Sequence, residues 1–256
     1  MSPDAVLETL RSAASAVREA LDGFEGKGLS GQRVSQYHLD VVADDAACAV
    51  LLGAGLAVFS EESGERGSSE ILVVIDPVDG STNADRGIPF YCVSLCALDD
   101  QGPLVSLVEN LPLGTRYEAI RGQGATRDGR VITASGATDP SRAIVGVNGV
   151  LDRHPGWAQV RTMGAAALEL CLVADGSLDG YVQAGGASIH PWDYLAGVQI
   201  AQEAGATVIS ADGEDLIIRE RVPRQPLAAA TDELAAALLA EINAARESKG
   251  DAEGLR

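Results

Sequence analysis

Apolar residues recur three and four apart at the start of the chain. Val6, Leu10, Val17 and Leu21 follow Ser2 and Pro3, which suit an N-cap and first helical position, and Gly23 ends the run. This spacing predicts a first helix. The segment from Gly26 to His38 is polar and glycine-bearing, and reads as a loop or a mobile strand pair. A second helix is expected over Asp44–Leu52 and a short strand over Ala57–Ser60. The run Ile71–Ile75 is wholly apolar, as suits a strand buried on both faces, and it stops at Asp76-Pro77-Val78-Asp79-Gly80.

Further strands are expected at Tyr91–Leu98, Leu104–Glu109, Arg116–Ile120 and Val131–Thr133, separated by glycine-rich turns, which describes an α+β half with a meandering sheet. The pattern alternates from Ala143 onward. Strand Ile144–Val147, helix Met163–Ala174, strand Gly180–Gln183, helix Asp193–Ala204, strands Thr207–Ser210 and Leu227–Ala230, and helix Asp232–Arg246 make an α/β half. The expected division is therefore residues 1–140, residues 141–246 and a charged, disordered tail over 247–256.

A chain of 256 residues with 46% hydrophobic content can fill a sizeable core. Its 37 acidic and 19 basic residues give a formal charge of −18, which repels nucleic acid and anionic membrane. Neither is an expected partner. An anionic substrate then needs a local source of positive charge, which divalent cations held on clustered carboxylates would provide. No apolar run approaches the ~20 residues of a membrane span. The N-terminal segment carries charges where a secretory signal needs an apolar core, so a cytoplasmic location is expected. Cys48, Cys92, Cys96 and Cys171 lie in apolar segments without C-x-x-C spacing and read as buried free thiols.

Asp76 and Asp79 stand at the end of the buried strand, where a proline-stiffened turn lets both carboxylates and the Val78 carbonyl point into one small volume. Magnesium favours such oxygens and keeps waters on its free positions. Taken alone, the same residues also suit a solvated turn. An EF-hand loop fails on spacing, because Val78 and Gly87 stand where it needs oxygen side chains. Glu61 and Glu62 follow a short strand, and Asp193 begins an apolar helix. Separately these suit an exposed acidic turn and a helix-capping acid. His38, His154 and His190 are scattered, and no covalent nucleophile is indicated.

In this order the segments Glu61-Glu62-Ser63, Asp76-Pro77-Val78-Asp79-Gly80-Ser81-Thr82-Asn83 and Trp192-Asp193-Tyr194-Leu195-Ala196-Gly197 resemble the inositol monophosphatase family, as does the stretch from Gly164 to Tyr181. The resemblance implies a layered αβαβα sandwich of the inositol monophosphatase/fructose-1,6-bisphosphatase type, with the active site between the halves. It also implies two or three Mg2+ ions per site. Glu61, Asp76 and the Val78 carbonyl would hold one, and Asp76, Asp79 and Asp193 a second. Catalysis would fall to Glu61, to Ser81 orienting the water, and to Asp44 pairing with Ser81, with Asp45 the adjacent alternative. Glu62 would support the ligands from outside. Phosphate would lie against Gly80, Ser81 and Thr82 beside Asp193, with Gly164, Ala165 and Ala166 bordering the organic part. Gln183 stands where inositol-specific members commonly carry a glutamate.

The implied activity is hydrolysis of a small phosphorylated metabolite, inositol monophosphate first, by a lithium-sensitive homodimer. Fructose 1,6-bisphosphate, histidinol phosphate and 3′-phosphoadenosine 5′-phosphate are alternatives, and a non-catalytic inositol phosphate binder is a further one.

Overall fold

The computed structural model describes residues 1–32, 36–151 and 153–253, the side chains of 246–253 excepted. Ser2 caps α1 (Pro3–Leu21), its hydroxyl accepting the Ala5 N–H at 3.3 Å. Val6, Leu10, Ala13, Ala14 and Val17 make the helix's buried stripe. The next helix, α2 (His38–Gly53), begins before the expected start at Asp44. Asp40 lies in its first turn and accepts the Tyr37 N–H at 2.8 Å, so a carboxylate satisfies a donor that the helix itself leaves open. Within the segment expected to form a loop or strand pair, Leu29 and Tyr37 make a single antiparallel bridge. Residues 33–35 of that segment lie outside the described residues.

Eight strands form the larger sheet: β1 (Ala57–Ser60), β2 (Gly64–Arg66), β3 (Leu72–Asp79), β4 (Cys92–Asp99), β5 (Gly102–Asn110), β6 (Arg116–Ile120), β7 (Ala125–Arg127) and β8 (Arg130–Val131). Their order is β2-β1-β3-β4-β5-β6-β7-β8, with β1 and β3 parallel and the other neighbours antiparallel. A short helix, α3 (Ser81–Arg86), leaves the end of β3. Both faces of the central strands are apolar. Val73, Ile75, Val93, Leu95, Ala97 and Leu107 pack under α1 and α2, whereas Val74, Cys92, Cys96, Leu98 and Val108 face the opposite layer.

That opposite layer is α4 (Ala166–Ala174) and α5 (Pro191–Glu203). Ten residues of α5 are buried, which fits a helix covered on two sides. Beyond it lies a second sheet made of β9 (Ile144–Gly149), β10 (Gln159–Arg161), β11 (Gly180–Ala184), β12 (Thr207–Ser210) and β13 (Pro226–Ala229), in the order β10-β9-β11-β13-β12. Its far face is closed by Leu234, Leu238 and Ile242 of α6 (Asp232–Glu253). The layers therefore run helix pair, sheet, helix pair, sheet, helix. The backbone of α6 continues past Arg246, where a tail was expected to begin, and residues 254–256 lie outside the described part. All four cysteines are free and buried. Burial pushes the Cys96 thiol up to about 12, which leaves it unreactive.

Candidate active site and metal centre

Asp76 and Asp79 are three residues apart, which in a regular strand would send them to opposite faces. Asp76 pairs with Ser94 and Asp79 with Cys92, so three steps along β3 match two along β4. The extra residue is a bulge, and it returns both carboxyls to one face. The parallel neighbour brings Glu61 alongside. Ser60 is in register with Ile75, and the Glu61 N–H donates to the Ile75 carbonyl at 3.1 Å. Asp193 arrives from the start of α5, where its Oδ2 accepts the His190 N–H at 2.7 Å. Ligand oxygens of Glu61, Asp76 and Asp193 lie within 4.8 Å of one another.

Burial and mutual repulsion disfavour charge on all of these acids. Burial, then Glu61, Asp79 and Asp193, hold the Asp76 carboxyl well above its ordinary range. Burial first and Asp193 second push Glu61 up to about 8. Asp79 and Asp193 rise to about 7, again chiefly through burial. A divalent cation relieves this repulsion, and the donor set is hard oxygen throughout, so the residues present fit a Mg2+-type ion.

The turn that follows is tightly held. The Val78 N–H donates to Asp76 Oδ1 at 2.9 Å, and the Val78 carbonyl accepts the Ser81 hydroxyl at 3.0 Å. Gly80 has φ +92°, and a Cβ there would come within 3.1 Å of the Gly164 carbonyl and 3.2 Å of the Phe90 carbonyl, which explains the glycine. Asn83 Nδ2 donates to the carbonyls of Phe90 and Met163, at 2.8 Å each, and ties the turn to the segment before α4.

The expected pairing of Asp44 with Ser81 is corrected. Asp44 Oδ1 instead accepts the Ser60 hydroxyl at 2.5 Å and the Cys48 thiol at 3.4 Å, so it braces the end of β1. The acid beside Ser81 is Asp40, one helical turn earlier. Ser81 commits its hydroxyl to Val78, yet lies near enough to favour the ionised form of Asp40. Asp40 Oδ1 is buried without a hydrogen bond, and burial pushes the group up to about 6. Asp45, the alternative, is exposed. The missed signal was Tyr37 followed three residues later by Asp40, a pattern that opens a helix. Glu62 lies outside the ligand cluster and accepts Gln36 Nε2.

Two expected substrate contacts are also placed differently. Gln183 is 1% exposed, with its Oε1 accepting from Asn148 at 2.7 Å and its Nε2 donating to the Tyr181 hydroxyl at 3.0 Å. Its amide is engaged at both ends inside the small sheet. The N–H groups around Gly164, Ala165 and Ala166 face protein carboxylates. Asp79 Oδ2 accepts the Ala167 N–H at 2.7 Å and also attracts that of Ala166. Glu169, 1% exposed, draws the N–H groups of Met163, Gly164 and Ala165. Sequence reasoning passed over Glu169 as one more residue of an apolar helix.

Comparison with known proteins agrees with this geometry. The family model described as "Inositol monophosphatase family" matches residues 5–247. The chain belongs to the inositol monophosphatase family. It is 39% identical, over 69% of its length and 71% of the relative's, to a protein from Archaeoglobus fulgidus named fructose-1,6-bisphosphatase/inositol-1-monophosphatase. It is 34% identical, over 60% of its length and 64% of the relative's, to a protein from Neisseria meningitidis named putative Nus factor SuhB. The solved structure of inositol monophosphatase from Anabaena superposes with a TM-score of 0.75 at 28% identity, covering 92% of this chain and 96% of that one. Membership makes this inositol monophosphatase-family chain a phosphoric monoester hydrolase of the inositol monophosphatase/fructose-1,6-bisphosphatase kind. Such hydrolases act on small phosphorylated substrates and generally use divalent metals. Among the described residues no helix is long and apolar enough to cross a membrane.

Proposed function

We propose that this chain is a Mg2+-dependent phosphomonoesterase of the cytoplasm, acting on a small phosphorylated metabolite as a homodimer, with inositol 1-phosphate and fructose 1,6-bisphosphate as the first substrates to test. The convergence of Glu61, Asp76 and Asp193 oxygens within 4.8 Å carries the reading. Glu61, Asp76, the Val78 carbonyl, Asp79 and Asp193 would hold the metal, which when bound supplies an activated water and charge stabilisation for the leaving oxygen.

The chain's own groups do the rest. The first-turn N–H groups of α3 at Ser81 and Thr82, which a helix leaves without internal partners, offer donors to the scissile phosphate. Ser81 Oγ lies between Val78 O and Asp40, so a rotation of its hydroxyl redirects the proton from the carbonyl to the carboxylate. Asp40 thereby orients Ser81, and through it the attacking water. A nucleic-acid role gains no support from a chain of charge −18. Release of phosphate from a panel of esters, with Mg2+ and with excess chelator, tests the proposal. Turnover confined to the Mg2+ arm and inhibited by lithium is expected, and full turnover in chelator would refute it.

A further inference from the structure

Arg221 is a cation beside the acidic centre with no part in the proposed chemistry. Arg221 lies on the connection between β12 and β13, and its guanidinium sits 4.6 Å from the centre of the Trp192 ring. Its Nη2 donates to the Glu61 carbonyl at 2.5 Å. It therefore touches the residue before one metal-ligand candidate and the backbone of another.

Its place is built. The Ala211 N–H donates to the Gln225 carbonyl at 2.8 Å and closes the base of the connection. Arg224 and Ile189 exchange backbone hydrogen bonds at 2.8 and 2.9 Å, pinning the returning limb beside His190 and Trp192. Tyr194 donates its hydroxyl to the Leu216 carbonyl at 2.8 Å and pins the outgoing limb. His190 stacks on the same indole at 4.8 Å, and Phe59 meets it edge-on at 5.5 Å, so the ring that carries Arg221 is itself immobile. The neighbouring arginines are turned elsewhere: Arg219 reaches the Asp99 carbonyl and Arg224 the Asp215 carbonyl.

A guanidinium has five donors in a planar fork, and one contact to a carbonyl leaves others for a ligand. Arg221 is exposed, and its charge lies close enough to the acidic cluster to favour the ionised form of Glu61. It meets the site through Glu61 and Trp192, whereas the N–H groups proposed for the scissile phosphate belong to α3 after Asp79, so the two sets of donors come from different elements of the fold.

We propose that Arg221 is a specificity-determining residue that reads a second anionic group on the substrate, so that the preferred substrates are phosphate esters carrying a further phosphate or carboxylate. The inference rests on the phosphatase reading above and extends it to substrate class. In a protein of net charge −18, a fixed cation at the rim separates doubly anionic esters from neutral polyol phosphates, because planar bidentate pairing rewards only the former.

The test compares kcat/KM for fructose 1,6-bisphosphate and fructose 1-phosphate, which differ by one phosphate, in wild type, Arg221→Ala and Arg221→Lys, with melting temperatures measured alongside. Wild type is expected to prefer the bisphosphate. Arg221→Ala should lower that preference about tenfold, the size of one charge-assisted contact, and Arg221→Lys should restore part of it. Equal losses on both esters, a wild-type preference for the monophosphate, or turnover of other esters but not of the bisphosphate would each overturn the proposal. Failure to hydrolyse any phosphomonoester would sink the phosphatase reading itself.

Discussion

Asp40 and Asp44 lie one turn apart on α2, and replacement by asparagine is expected to raise stability and lower activity at the first, and to lower stability with activity largely kept at the second. Asp40 is 3% exposed, and its carboxyl is pushed from the ordinary 3.8 to about 6, chiefly by burial. A carboxyl raised on folding weakens the fold once it ionises. The penalty is absent below pH 4, grows as pH rises through about 4 to 6, and is complete above that window. The difference between 3.8 and about 6 corresponds to up to about 3 kcal/mol. Asp40→Asn should therefore be more stable than wild type at pH 8 in chelator by up to about 3 kcal/mol, and the gain should shrink as pH falls toward 4. Turnover should drop by a factor of about 10² to 10⁴, since the group that orients Ser81 no longer accepts a proton.

Asp44→Asn should instead lose stability and largely keep its activity. The Ser60 hydroxyl, 0% exposed, keeps an acceptor but loses its charge-assisted bond, a loss of about 1 kcal/mol with turnover within tenfold of wild type. Urea unfolding at pH 8 and pH 5, together with phosphate release in saturating Mg2+, measures both quantities. An active Asp40→Asn beside an inactive Asp44→Asn would refute the assignment, and a destabilised Asp40→Asn at pH 8 would refute the energetics.

Asp76→Asn keeps side-chain size but removes the carboxylate at the centre of the acidic cluster. Turnover in Mg2+ should fall at least a thousandfold while apo-protein melting rises, and a loss under twofold would show that Asp76 holds no essential ion. Gln183→Glu places a charge at a buried amide that is engaged by Asn148 and Tyr181. It should destabilise by about 1 to 3 kcal/mol and leave the ratio of kcat/KM for inositol 1-phosphate and glycerol 2-phosphate unchanged, whereas a shift of that ratio toward inositol would restore Gln183 to the substrate rim. Sedimentation at micromolar concentration should give twice the mass of the 26.4 kDa chain, and a monomer would exclude the proposed dimer.

The sequence pattern exposed those parts of the fold whose cause is local. The run Ile71–Ile75 reads as a doubly buried strand because both of its faces are apolar, and β3 is that strand with residues of the two cores on alternate sides. The acids that follow were legible as a group, because three separate motifs had to be explained together. The bulge between Asp76 and Asp79 was not legible, since it depends on how β4 counts its own residues against β3. The start of α2 was missed for a related reason. His38, Leu39 and Asp40 open the helix with Asp40 capturing the Tyr37 N–H, and with the start placed at Asp44 the carboxylate beside Ser81 was sought one turn too late.

The start of α4 shows how two carboxylates compete with a ligand for the same donors. A helix N-terminus favours anions, which made Gly164 to Ala166 natural candidates for substrate contact. In the fold, Asp79 takes the N–H groups of Ala167 and Ala166, and Glu169 draws those of Met163 to Ala165, before any substrate arrives. The positive end of α4 is therefore directed at Asp79, a proposed metal ligand: burial raises its carboxyl to about 7, and these two N–H groups oppose the rise. The helix thus favours the ionised form of Asp79 against its burial, and in the proposed mechanism anionic recognition falls to the α3 turn, the metal and Arg221.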